Sequence, residues 1–153
     1  IRPKWVEKIA NGEKTIEVRK TRPKLAPPFK AYIYCTMPKY PHEDFILTDY
    51  PKPQFYGGGK VIGEFTCDQF WIGTPHNTNP LFCMAACMDG FDTEKYAKGK
   101  TLYGWHISDL RIYDTPKELS EFTGLRDTKF GAAPYEIKRP PQSWCYVEAM
   151  KDE

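Results

Sequence analysis

A change of periodicity near the start of the chain restricts its fold more than any other feature. Trp5 and Ile9 lie one helical turn apart, and Pro3 suits the first turn of a helix, where its missing N–H is not needed. Gly12 suits the end of this helix, where the backbone must turn left-handed. Apolar and polar residues then alternate over positions 15–19, as in a strand with one buried face. The stretch therefore predicts a short helix, a tight turn and a strand.

The open face of this predicted strand carries two opposite charges. Glu17 and Arg19 are two residues apart, so they share a face, and Lys14 lies at the turn beside them. An ammonium, a carboxylate and a guanidinium this close together can bind a polar ligand. They can equally form a solvated face of ion pairs, since exposed salt bridges are common and weak. Spacing alone leaves both interpretations open.

Alternating apolar and polar residues recur along the chain and predict further strands. We expect strands over Phe29–Thr36, Lys60–Trp71 and Leu102–Tyr113, with a closing strand over Gln142–Ala149. The 14 prolines suit a loop-rich β protein better than a helical bundle. With 153 residues the chain is long enough for one domain with a real core.

Short helices are predicted between these strands. Leu81–Met88 forms one, and Asp92 or Thr93 caps another that continues to Lys98. Thr115-Pro116-Lys117-Glu118 has the pattern of a capping box with proline at the first helical position, so we expect a helix over Thr115–Phe122.

Three segments carry turn residues and are predicted to be irregular. Thr21–Pro28 is a basic, proline-rich connection that cannot be helical. Met37–Gly59 is a long loop, either a lid over a cleft or a variable insertion. We also expect Gly124–Pro141 to lack regular structure.

The motif Gly12-x-Lys14-x-x-Glu17-x-Arg19 resembles the G-x-K-x-x-E-x-R signature of ASCH domains, the activating signal cointegrator homology family. Stretches downstream resemble barrel strands of small bacterial and phage members: Gly63-Glu64-Phe65, Tyr103-Gly104-Trp105-His106-Ile107 and Ser143-Trp144-Cys145-Tyr146. The resemblance implies one α+β domain over residues 1–153, built on a small, mostly antiparallel, PUA-like β-barrel with flanking short helices. It also implies a cleft for nucleic acid beside the signature.

The resemblance makes RNA, another single-stranded nucleic acid or a modified nucleoside the expected partner. Lys14 and Arg19 would meet a phosphate or base edge, and Glu17 would accept a hydrogen bond from an amino group or hold Arg19. Lys20 and Arg22 add positive charge nearby. Candidate stacking residues are Tyr34, Tyr103, Trp105 and Trp144. The net charge of +2 excludes a strongly basic protein but allows a local basic groove.

The alternative is a hydrolase acting on nucleic acid or nucleosides. One bacterial ASCH group hydrolyses the amide of acetylated cytidine with the signature lysine, a threonine and a glutamate from a later helix. Lys14 matches that lysine, but Glu17 stands where the group has its threonine, and Leu81–Met88 contains no carboxylate. Some ASCH proteins are also credited with ribonuclease activity. A Lys14–Glu17 pair would need burial to bring the lysine pKa towards neutral.

Metal and cofactor sites are not predicted. Cys83 and Cys87 with His76 nearby lack an evident fourth ligand for zinc, so the two thiols are interpreted as small buried residues. His106, in a predicted strand, is more often a structural hydrogen-bonding residue than a base. The 5 cysteines and the lack of a long apolar run favour free thiols in a cytoplasmic protein that is not inserted in a membrane. Because the chain starts at Ile1, we expect residues before it, forming part of a first strand.

Overall fold

The structure, a computed structural model, describes residues 1–48, 54–74 and 79–150. Within these ranges the protein is α+β, with three short helices and mostly antiparallel sheets, as the sequence predicts. The helices are α1 (Pro3–Ala10), α2 (Pro80–Ala86) and α3 (Gly90–Ala97). The strands are β1 (Ile16–Arg19), β2 (Phe29–Cys35), β3 (Lys60–Gly73), β4 (Leu102–Lys117), β5 (Thr123–Thr128), β6 (Gly131–Glu136) and β7 (Tyr146–Val147).

The strands form two sheets. The larger has the order β1-β4-β3-β2, so that β1 and β2 are its edges, and the smaller has the order β6-β5-β7. Every pairing between these strands is antiparallel. Register shifts interrupt the β2–β3 and β3–β4 ladders, and such bulges bend and twist a sheet.

The helix, turn and strand predicted at the start of the chain are all present. Pro3 occupies the first turn of α1, whose buried side is completed by Val6 and Ile9. Gly12 has φ +85°, a left-handed conformation that favours glycine. Trp5 is only partly buried, and the ammonium groups of two lysines lie over its ring.

The core forms three clusters around the sheets. The first packs α1 against β2 and β3 and includes Ile9, Ile33 and Ile62. The second packs Ile16 and Val18 of β1 against α2 and α3. The third lies between the two sheets and includes Val61, Tyr113, Phe122 and Ile137.

The helix predicted over Thr115–Phe122 is wrong. Strand β4 continues to Lys117, which pairs with Val61 of β3, and only Leu119–Glu121 forms a single 3-10 turn. A capping box does exist, but it lies three residues later than predicted and joins Glu118 to Glu121. Pairing within the sheet therefore overrides the local helix signal.

Three other predictions also need correction. Residues 124–141 are not irregular throughout, because β5 and β6 pair from Thr123–Glu136 to Thr128–Gly131 as a hairpin. The closing strand is much shorter than the predicted Gln142–Ala149 and comprises only β7. The cap of α3 is also misplaced, since the Asp89 side chain accepts the hydrogen bond from the N–H of Asp92.

A carboxylate and several backbone hydrogen bonds hold the described part of the long loop. Asp44 Oδ1 accepts hydrogen bonds from the N–H groups of Phe45 and Gly58, both at 2.7 Å. Residues 49–53 lie outside the described residues, so the lid hypothesis stays a prediction. Within the described ranges, none of the helices combines the length and apolar character needed to cross a bilayer.

Candidate functional site

A cavity of about 560 Å³ is lined by residues from both edge strands of the larger sheet. Strands β3 and β4 form its floor through residues such as Phe65 and Trp105, and part of the segment 141–149 lies along it. A volume of this size is typical of sites for small molecules and cofactors.

Strand β1 contributes the charged pair of this cavity. Ile16 and Val18 are buried against α2 and α3, so the alternation of the strand turns Glu17 and Arg19 to the other side, where both line the cavity. Glu17 Oε1 lies 3.7 Å from Arg19 Nε, and the two side chains are only 13% and 20% exposed. The alternative of a solvated ion-pair face is therefore wrong.

One oxygen of Glu17 has no hydrogen-bond partner. Oε2 is buried, and none of the described residues donates to it. A buried carboxylate oxygen left without a donor costs more than an ordinary unpaired polar atom, because the charge has lost its hydration. This oxygen is therefore suited to accept a hydrogen bond from an N–H group that enters the cavity.

Two tryptophans form an aromatic wall beside this pair. Trp105 pairs with Glu17 across the β1–β4 ladder, and its ring lies 5.8 Å from that of Trp144 in an edge-to-face arrangement. Trp144 Nε1 donates to Thr21 Oγ1 at 2.9 Å, while Trp105 Nε1 donates more weakly to Thr21 O at 3.4 Å. Because their N–H groups are already used, these indoles can offer a ligand only stacking and apolar contact.

Further rings extend the wall. Phe29 lies 5.7 Å from Trp105, and Tyr146 lies 5.2 Å from Trp144, both in edge-to-face contacts. Tyr34 also lines the cavity, and partial burial raises the pKa of its phenol. Both Glu17 and Arg19 thus face a cavity with an extensive aromatic surface.

Lys14 lies in a different environment. Its side chain is buried and Nζ donates to Ala86 O at 2.8 Å, while the N–H of Thr15 donates to Ala85 O. The lysine therefore neutralises the carbonyl end of α2, where a cation is favourable, and fixes this helix to β1. Lys14 is not among the residues that line the cavity.

Burial lowers the pKa of Lys14 from its ordinary value of 10.5. The negative charge of Glu17 and the thiol of Cys87 oppose this shift, and the positive charge of Arg19 adds to it. Lys14 and Glu17 thus interact electrostatically, and the hydrogen bond of Nζ to Ala86 O holds the amine at the end of α2.

The predicted ligand residues fall into two groups. Glu17, Arg19, Tyr34, Trp105 and Trp144 line one cavity. Lys20 instead lies over the ring of Tyr96, and the guanidinium of Arg22 lies 5.4 Å from the centre of the Tyr103 ring. The predicted ligand residues Lys20, Arg22 and Tyr103, like Lys14, are outside the cavity lining.

Several lining residues were missed by the sequence analysis. Tyr146 follows Trp144 by two residues, so the same alternation could have identified it. No local pattern identifies Phe122 and Ile137, because they reach the cavity only through the fold of the second sheet.

A second carboxylate was also missed. Glu64 Oε2 lies 2.9 Å from Lys30 Nζ, and Glu64 Oε1 accepts a hydrogen bond from Tyr113 at 3.1 Å. Burial alone would raise the pKa of Glu64, but the hydrogen bonds and the charges of Lys30 and Arg111 outweigh burial and lower it. Burial and the neighbouring Glu64 carboxylate raise the pKa of Tyr113.

The histidine and cysteine candidates lie elsewhere. His106 Nδ1 lies 2.6 Å from Asp68 Oδ1, and its ring stacks on Trp71, away from the cavity lining. Cys87 ends α2 with φ 56°. The described residues contain no group of three or more His, Cys, Asp or Glu placed to hold a metal ion, and His76 lies outside them.

The scan against protein-family models finds no family that matches the chain, and the search of curated proteins finds no significant match.

Proposed function

We propose that this protein is an ASCH-type domain that binds RNA through a base, ordinary or modified, seated in the cavity beside Glu17. One observation carries the proposal: a buried Glu17 oxygen that has no partner among the described residues lies next to a guanidinium, in a cavity lined by aromatic rings. The G-x-K-x-x-E-x-R resemblance agrees with it, because the residues at two of its positions, Glu17 and Arg19, are those that line the cavity.

The same resemblance leads us to propose a PUA-like barrel. Three features support it. Bulges curl the larger sheet, residues of its two edge strands line one cavity, and Ile1 exchanges backbone hydrogen bonds with β2 through Tyr34 and Thr36. The segment at Ile1 thus lies beside β2, at the edge of β2 that faces away from β3.

The chemistry of the cavity suits a base that carries an amino group. A carboxylate accepts a hydrogen bond from this amino group, and a guanidinium donates to a ring nitrogen or carbonyl of the base. The flat face of the base stacks on aromatic side chains. Glu17 and Arg19 provide the first two contacts, and Trp105 or Trp144 the third. Cytosine, adenine and guanine all present an amino group beside an acceptor, so single-stranded RNA or an extruded base fits this arrangement.

Phosphate contacts would come from basic residues at the cavity. Arg2 and Lys30 also line it. With a net charge of +2 the protein has little long-range attraction for RNA, so affinity depends on a few local contacts and on stacking. Two phosphate contacts to a single strand give a salt slope of roughly 1.4 in magnitude, and Arg2→Ala should lower that slope by about 0.7.

A second proposal is hydrolysis of an acetylated cytidine or of RNA by Lys14 and Glu17. The lowered pKa of Lys14 favours it, because a larger fraction of a desolvated lysine is present as the free amine near neutral pH than of an exposed lysine. The hydrogen bond of Nζ to Ala86 O opposes it, since the amine would have to leave α2 to reach a ligand. Turnover of acetylated cytidine by the intact protein, abolished in Lys14→Ala, would establish this activity over simple binding.

The binding proposal is tested by a matched pair of variants, Glu17→Gln and Glu64→Gln. Both remove a carboxylate of similar exposure from the larger sheet, but only Glu17 lines the cavity. Hydrogen bonds to charged groups contribute about 1.5–3 kcal/mol, so Glu17→Gln should weaken binding of a short single-stranded RNA at low salt by tenfold or more. Glu64→Gln should not weaken binding, because Lys30 keeps its positive charge at the cavity when its carboxylate partner is removed. Equal losses in both variants, or no RNA binding by the intact protein, would contradict the proposal.

A further inference from the structure

The hairpin of β5 and β6 extends away from the rest of the molecule. At its base, Gly124 and Leu125 pair with β7, and the ring of Tyr135 packs so closely over Gly124 that a Cβ there would clash. Beyond this base, both strands are mostly exposed from Arg126 onwards. The hairpin is therefore fixed where β5 pairs with β7, and it is open to solvent over the rest of its length.

The tip of this hairpin holds an aromatic ring in water. Phe130 is 90% exposed, although a large apolar side chain normally gains free energy from burial. The turn that presents it is ordered: Thr128 Oγ1 donates to Gly131 O at 2.7 Å and accepts from the N–H of Phe130 at 3.2 Å. Gly131 has φ +104°, which a larger residue would adopt only with strain.

One lysine lies beside this ring, and further positive charge lies along the hairpin towards its base. Lys129 Nζ lies 5.3 Å from the centre of the Phe130 ring, and the guanidinium of Arg126 lies 4.3 Å from that of Tyr135. Lys138 and Arg139 follow directly after β6. A cationic group beside an exposed ring is the combination that contacts a phosphate and stacks on its base.

The position of the hairpin relates it to the cavity. Phe122, just before β5, and Ile137, just after β6, both line the cavity. Five residue steps separate Thr123 from Thr128 along β5, which at about 3.4 Å per residue places the tip roughly 17 Å from the base of the hairpin. A single nucleotide in the cavity cannot span this distance, but a strand of several nucleotides can.

We propose that the hairpin tip is a second contact for the RNA strand whose base occupies the cavity, and this rests on the function proposed above. Phe130 stacks on a base of that strand, Lys129 binds the adjoining phosphate, and Arg126 binds a phosphate nearer the base of the hairpin. The protein then recognises a strand rather than a free nucleotide. The single large apolar side chain at the tip favours RNA over a membrane surface, because membrane binding scales with the apolar area that is buried.

The test compares Phe130→Ala with Phe91→Ala. Phe130 is 90% exposed and Phe91, on α3, is 75% exposed. Because both side chains are in solvent, neither substitution should affect folding. Binding is measured to a single-stranded RNA of ten nucleotides and to cytidine monophosphate. Phe130→Ala should bind the decamer about tenfold more weakly, as expected for the loss of one stacked base, and the mononucleotide unchanged. Phe91→Ala should change neither affinity.

The contrary outcomes are distinct. If Phe130→Ala binds the decamer as tightly as the intact protein while Glu17→Gln binds it more weakly, the hairpin contact is wrong and the cavity proposal stands. If Glu17→Gln has no effect on either ligand, the cavity proposal is wrong. Binding to vesicles of anionic phospholipid that is lost in Phe130→Ala, with RNA binding unchanged, would make the tip a membrane contact and overturn the inference.

Discussion

Glu17 on β1 and Glu64 on β3 have side chains that are 13% and 14% exposed, yet their carboxylates are bound in different ways. Both oxygens of Glu64 have a partner, one in Lys30 and the other in Tyr113. Glu17 has a loose contact with Arg19 at 3.7 Å, and its second oxygen has no partner among the described residues.

This difference separates a structural carboxylate from one suited to a ligand. A half-buried charge that is fully hydrogen-bonded stabilises the fold and has little capacity left for a ligand. A half-buried charge with an unpaired oxygen costs stability until a donor arrives, and such strain is concentrated at functional sites. Exposure alone could not have distinguished the two, because only their hydrogen bonds differ.

The largest expected effect on stability is that of Glu64→Gln. The variant loses charge-assisted hydrogen bonds from Lys30 and Tyr113, which should lower the free energy of unfolding by about 2 kcal/mol after allowance for the partial exposure of Lys30. Glu17→Gln should change it by less than about 1 kcal/mol, because the loss of a loose ion pair is offset by removal of an unpaired charge. Urea unfolding at pH 7 measures both, and equal losses would contradict the distinction.

Acid should remove the advantage that Glu64 confers. Its folded pKa lies below the ordinary value of 4.5, so its contribution to stability is present above pH 4.5 and is lost as the pH falls through the folded pKa. The difference in unfolding free energy between the intact protein and Glu64→Gln should therefore shrink below about pH 4.5. Urea unfolding at several pH values between 7 and 3 tests this, and a difference that stays constant over that range would show that the Glu64 charge is not the cause.

The sequence predicts the parts of the fold that depend on local pattern. The periodicity of residues 3–19 identifies α1, the turn at Gly12 and β1, and long alternation identifies most of β3 and β4. The Thr115–Phe122 helix failed because Lys117 pairs with Val61, a contact that no local signal reveals. The β5–β6 hairpin was missed because its two loop residues, Lys129 and Phe130, are not the Asn-Gly or Asp-Gly pair that marks most two-residue hairpin loops.

The candidate site was predictable to a similar degree. Strand alternation places Glu17 and Arg19 on one face, but it cannot say that this face is covered rather than solvated. The position of Lys14 depends on α2, whose final carbonyl it binds, so its separation from the cavity follows only from the tertiary structure. The hydrogen bonds that distinguish Glu64 from Glu17 likewise come from strands distant in sequence.

Lys14, whose expected effect at pH 7 is smaller than that of Glu64, extends the comparison to alkaline pH. Its folded pKa lies below 10.5, so between that pKa and 10.5 the unfolded chain binds more protons than the folded protein, and stability rises with pH. Lys14→Met should lower stability at pH 7 by about 1 kcal/mol, since Ala86 O loses its donor. The gap between the two proteins should then widen towards pH 10.5, by at most about 1.4 kcal/mol per pH unit. Lys24→Met, at an exposed lysine, provides the baseline for urea unfolding over this range. A gap that narrows as the pH rises would mean that the Lys14 ammonium stabilises the fold through its charge and that desolvation does not dominate its environment.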